Sequence, residues 1–154
     1  MEALNSSRVA LAVEQSILSN TGMGLLNVEA YDQAVVLSTL TSNTLVNPTN
    51  QAITMLVDAS APADNARVGA TLTSNLFQTP AEALQATSDA DNGTAEFRLN
   101  MTGNTSSGQY LLEQLQTAPG LSTFTLFDGG GNSPAPTTTG TIGNSGSELD
   151  ITFP

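Results

Sequence analysis

Apolar residues recur along this chain at two different spacings. Val9, Val13 and Ile17 stand at i, i+4 and i+8, with Ala10, Leu11 and Leu18 beside that stripe, which predicts an amphipathic helix from Leu4 to Asn20. Gly22 follows as its stop signal. Beyond it the period drops to two. A nearly continuous apolar run from Ala34 to Leu40 ends in a polar turn around Asn47-Pro48. Ile53, Met55 and Val57 then alternate with Thr54, Leu56 and Asp58. Val68, Ala70, Leu72 and Leu76 alternate with Thr71, Thr73 and Asn75, and Ala95, Phe97, Leu99 and Met101 with Thr94, Glu96, Arg98 and Asn100. Such segments read as half-buried strands, and the short links between them, lacking room for crossover helices, predict antiparallel pairing.

Two interruptions carry helix signals. Thr79-Pro80-Ala81-Glu82 has the form of a capping box with proline at the first helical position, predicting a short helix to about Thr87. Leu111, Leu112 and Leu115 suggest a second helix over Gly108 to Gln116, closed by Pro119-Gly120. A further strand, Leu121 to Phe127, precedes a Gly-, Pro- and Thr-rich stretch with the composition of a linker. Leu149, Ile151 and Phe153 then alternate with Glu148, Asp150 and Thr152, as in a strand seeking a sheet edge.

The fold class expected from this pattern is mainly β, an antiparallel sandwich or barrel with an N-terminal helix and one or two short helices. The expected organisation is a helix or arm over 1–22, a β-rich core over 23–128, a linker over 129–146 and a C-terminal strand or arm over 147–154. At 154 residues one core suffices.

Charge and composition narrow the chemistry. Three arginines, Arg8, Arg67 and Arg98, stand against 14 acids, for a net charge of −11. Nucleic acid and anionic membranes, which are held by clustered Lys and Arg, are not expected partners. The N-terminal segment has no basic region followed by an unbroken apolar run, so no export signal is expected in it.

Cys and His are absent, and all three cations are arginines, so Lys is absent too. No Ser-His-Asp or Cys-His arrangement, histidine-zinc site or Schiff-base lysine can form. A carboxylate pair for glycoside hydrolysis lacks aromatic platforms, with no Trp and only Tyr31 and Tyr110. The sequence therefore predicts a protein that is not an enzyme and needs no cofactor.

The one metal-like spacing is Asp89-Ala90-Asp91-Asn92-Gly93, with Asp89, Asp91 and Asn92 as calcium candidates. It departs from the EF-hand loop, which wants glycine at position 6 and glutamate at 12, and the reading it favours is a turn into the strand starting at Thr94, with Asn-Gly at its tip. Four Asn-x-Ser/Thr sequons, at Asn5, Asn92, Asn100 and Asn104, are of the kind that an Asn-, Ser- and Thr-rich chain produces by chance.

A small β domain without catalytic residues or an export signal, ending in a linker and a strand, looks in this general way like bacteriophage decoration proteins. The functional expectation is a virion structural protein, a capsid decoration (cement) or small coat subunit that assembles through terminal arms. Its expected interface residues are Val9, Val13, Ile17, Leu149, Ile151 and Phe153. Its partners would be copies of itself and a major capsid protein. The alternative expectation is a cell-surface, pilus-like filament subunit or adhesin β domain with a neighbouring subunit as partner, which would place the chain outside the cell.

Overall fold

In the computed structural model, residues 2–19, 24–46, 49–79 and 81–153 are described, and among them there are strands and no helix. The chain winds as a parallel β-solenoid. Its first coil contains β1 (Glu2–Ala3), β2 (Arg8–Glu14) and β3 (Ile17–Ser19), and its second β4 (Leu26–Ala30), β5 (Val35–Thr41) and β6 (Thr44–Val46). The third holds β7 (Ile53–Ala59), β8 (Asn65–Thr73) and β9 (Leu76–Gln78). The fourth holds β10 (Glu82–Ala90), β11 (Thr94–Thr102) and β12 (Thr105–Ser106). The fifth brings β13 (Gln109–Gln116) and β14 (Leu121–Asp128), and a last partial coil β15 (Thr137–Thr139) and β16 (Ile142–Asn144). Equivalent strands stack in chain order. Sheet A runs β1-β4-β7-β10-β13-β15, sheet B runs β2-β5-β8-β11-β14-β16, and sheet C runs β3-β6-β9-β12.

Every strand pair is parallel, which corrects the antiparallel sandwich or barrel. The period of two was real, but the premise about connections was not. A strand here reaches its sheet neighbour by passing through the other two sides of the coil, so parallel pairing needs no crossover helix.

The expected N-terminal helix is β2 and β3. Val9, Leu11 and Val13 fit a period of two as well as Val9, Val13 and Ile17 fit a helical stripe, and the intervening Ala10 and Ala12 point outward, exposed. The two short helices are β10 and β13. The Thr79 hydroxyl accepts from the Ala81 amide (3.2 Å) and its carbonyl from the Ser107 hydroxyl of the next coil (2.7 Å), so the apparent capping box is a solenoid corner. Gly22, the Asn47-Pro48 turn and Pro80 lie outside the described residues. The 129–146 stretch holds β15 and β16, and residues 148–153 form no strand, which corrects the C-terminal strand expected there.

The core is the lumen of the solenoid, filled by like side chains stacked between coils. One inward row of sheet B is Val9, Val36, Val68, Phe97, Phe124 and Ile142, in which the Phe97 and Phe124 rings stack at 4.7 Å with planes 2° apart. Phe77 and Tyr110 meet edge to face at 5.8 Å.

The corner from sheet B to sheet C repeats in every coil. A residue with positive φ (Gln15, Ser42, Ser74, Gly103, Gly131) precedes Ser16, Asn43, Asn75, Asn104 and Asn132. Each of the four Asn side chains accepts from the backbone amide at the same corner of the preceding coil, at 3.0 Å. Each also donates to that coil's Val13, Leu40, Leu72 or Met101 carbonyl, at 2.7–3.2 Å. Asn43, Asn75 and Asn104 are buried. The ladder thus satisfies corner groups that could not be buried unpaired.

Candidate functional site

The last described residues run back across the outer face of sheet B toward the first coil. At β11 the Asn100 side-chain amide accepts from the Leu149 N–H and donates to the Leu149 carbonyl, each at 2.9 Å. One side chain replaces the strand that would otherwise pair with Leu149. At β8 the tail crosses Gly69, where a Cβ would overlap the Ile151 carbonyl oxygen and stand 2.9 Å from the Ile151 Cβ. Glycine there leaves a notch in an otherwise side-chain-bearing strand.

Phe153, 3% exposed, collects all three cations of the chain. Its carbonyl accepts from Arg8 Nη1 at 2.9 Å, and its ring lies 4.5 Å below the Arg98 guanidinium and 5.6 Å from that of Arg67. Glu96 ties the latter two together, 2.7 Å from Arg98 and 3.8 Å from Arg67. Arg98 also donates to the Asp150 and Thr152 carbonyls. Hydrogen bonds from the Thr152 hydroxyl and amide hold the Asp150 carboxyl below the ordinary carboxylate range. A delocalised guanidinium suits this work, since it stacks on a ring face while donating in its own plane.

Of the residues expected at an assembly interface, Leu149, Ile151 and Phe153 therefore lie together on the chain's own sheet B. Val9 and Val13 face the lumen from the first coil, where β2 pairs with β5 alone among the described residues. There Val9, Leu11, Val13 and Leu18 stay half-buried, whereas Val36, Leu40 and Leu45 one coil later are fully enclosed. Ile17 points the other way, outward from sheet C at 78% exposure.

The calcium candidates lie at the end of β10 and in the corner that follows it. Asp89 stands on the outer face of sheet A beside Asp58, while the Asp91, Asn92 and Gly93 amides all point at the Ala59 carbonyl at 3.2–3.3 Å. A Cβ at Gly93 would stand 2.6 Å from the Ala61 carbonyl oxygen, so this glycine serves coil stacking. Among the described residues no group of three or more Asp or Glu side chains could hold a metal ion. Burial, and then the charges of Asp89, Asp91 and Asp64, push the Asp58 carboxyl up; burial and Asp91 do the same for Asp89. Burial likewise pushes the Tyr110 phenol up.

Sequence reasoning missed the Asn ladder, Asn100, Gly69 and the gathering of the arginines. The ladder had a signal in Thr-Ser-Asn at 41–43 and 73–75 and Thr-Gly-Asn at 102–104. Compared with protein-family models, curated proteins and solved structures, the chain matches none.

Proposed function

We propose that this chain is a non-catalytic structural protein that works inside a larger assembly, in the first place a virion component such as a capsid decoration or small coat subunit. The observation that carries the reading is the half-covered first coil. Val9, Leu11, Val13 and Leu18 line the lumen but are not enclosed, and among the described residues β1, β2 and β3 each stand at the end of their sheet with one edge open. A solenoid is stable coil upon coil, and an end coil needs a cap or a partner. The first coil then takes the role expected of the terminal arms, because the tail's apolar groups are taken up within the chain.

A pilus-like or adhesin role at the cell surface is the second reading. It is favoured by β15 and β16, which end their sheets at the opposite end among the described residues and would let solenoids follow one another along a filament.

Immunogold electron microscopy of the native source distinguishes the two. Label on closed shells is the expected result, and label along filaments selects the second reading. Recovery only as free protein outside any particle or filament overturns both.

A further inference from the structure

Strand β2 reads Arg-Val-Ala-Leu-Ala-Val-Glu, which is a palindrome about Leu11 apart from its ends, and the ends carry opposite charges. On its inner side the strand is occupied: the Ser7 carbonyl accepts from the Val35 amide and the Gln15 amide donates to the Thr41 carbonyl, at 2.9 and 3.0 Å. In a parallel ladder these bonds assign the odd-numbered backbone groups to β5. The N–H and C=O groups of Arg8, Ala10, Ala12 and Glu14 therefore point away from the molecule along the free edge.

We infer that this edge is a self-complementary docking strand whose occupant is β2 of a second copy, paired antiparallel about a two-fold axis through Leu11. In that register Arg8 stands opposite the partner copy's Glu14, and Ala10 opposite its Ala12. All of these are residues whose backbone groups face the edge, so each pair exchanges two hydrogen bonds, about eight in total. Val9 meets Val13 and Leu11 meets Leu11 at the closer, non-hydrogen-bonded positions, on the lumen side where both copies have half-buried apolar groups. Arg8 and Glu14 lie on the outer face, both exposed, and the Phe153 carbonyl holds the Arg8 guanidinium there. Sliding the register by two residues keeps the hydrogen bonding but removes both charge pairs.

Apart from the charges at its two ends, which this pairing matches, the edge lacks the usual devices against pairing. It has no proline, no bulge and no inward-pointing charge, and its outer-face centre is alanine. The contact is isologous, so it closes as a dimer and does not propagate.

The inference deepens the assembly reading by naming a partner, and its tests separate the two. Sedimentation velocity of the full chain is expected to give a dimer. Ala12→Pro removes an outward N–H that β5 does not use, and is expected to leave a folded monomer. Glu14→Arg and Arg8→Glu are each expected to weaken self-association by at least about tenfold, and an equimolar mixture of the two to restore a dimer, because both charge pairs re-form between unlike chains.

Register has its own readout, since the chain has no native cysteine. Leu11→Cys is expected to form a disulfide-linked dimer on mild oxidation, at a Cα separation of about 4.5 Å, whereas Val9→Cys alone is not. A wild-type monomer at concentrations of tens of micromolar, or Val9→Cys cross-linking as readily as Leu11→Cys, overturns the inference. If the protein sits in particles yet never forms this dimer, the inference fails and the assembly reading stands. A dimer found only as free protein reverses that outcome.

Discussion

Asn100 and Leu149 are joined by two hydrogen bonds of 2.9 Å through one side-chain amide, 49 residues apart in the chain. Each bond contributes about 1 kcal/mol net, and Asn100 is nearly enclosed, so the pair fixes where the tail starts across sheet B. Asn100→Ala is expected to weaken tail docking by about 1–3 kcal/mol. Hydrogen exchange would show it as faster exchange at Leu149, with the β11 ladder amides unchanged. Equal loosening of both would mean that Asn100 supports the sheet and not the tail.

Gly69 gives a sharper test because the three atoms nearest to a Cβ there all belong to Ile151 of the tail. Gly69→Val in the full chain is expected to cost about 1–3 kcal/mol by displacing Ile151. With residues 146–154 deleted, the same substitution is expected to be neutral or to stabilise by about 0.5–1 kcal/mol, since valine suits a strand interior better than glycine. Thermal denaturation of the four proteins measures the coupling. The same cost in both backgrounds would refute the notch.

The alternation at 53–58, 68–72 and 95–101 was legible in the sequence, because a lumen-facing row must be apolar whatever the topology. Pairing direction was not, since alternation is identical in parallel and antiparallel sheets. The helix expected over 4–20 failed for a local reason: with alanine at 10 and 12, Val9, Leu11 and Val13 fit a period of two while Val9, Val13 and Ile17 fit a helical one, and only the stacking of coils decides between them. The repeat of about 30 residues was present in the Asn corners, but unequal corners, 32 residues from Asn43 to Asn75 and 29 from Asn75 to Asn104, blur it. The tail's polar partners are invisible at sequence level, because Asn100 and Arg98 read as ordinary outward positions of a strand.

Asn75 sits at the middle of the corner ladder, where its side chain serves the Asn43 amide, the Leu40 carbonyl and Asn104 together. Asn75→Ala leaves the buried Asn43 amide and Leu40 carbonyl without this side chain, and is expected to cost roughly 3–5 kcal/mol. Asn132, on the half-buried last rung, is expected to cost only about 1–2 kcal/mol as alanine. Urea denaturation of the two variants checks the ranking. Equal costs would show that the ladder is not graded by burial.

Asp58 and Asp89 are direct neighbours across β7 and β10, and both carboxyls are pushed above their ordinary 3.8, first by burial and then by nearby acids. The folded state therefore holds these protons more tightly than the unfolded chain does. The associated stability is fully present below pH 3.8 and is lost as pH rises through the folded values. Asp89→Asn removes one charge of the pair, so its melting temperature is expected to exceed the wild type's at pH 7 and to match it at about pH 3. At pH 7 the gain should shrink in about 1 M salt, where screening acts over about 3 Å. A substitution that lowers the melting temperature at pH 7 would show that Asp89 is held by a favourable partner. If millimolar calcium raises the wild-type value and not the variant's, that partner is a cation and Asp89, Asp91 and Asn92 return as its ligands.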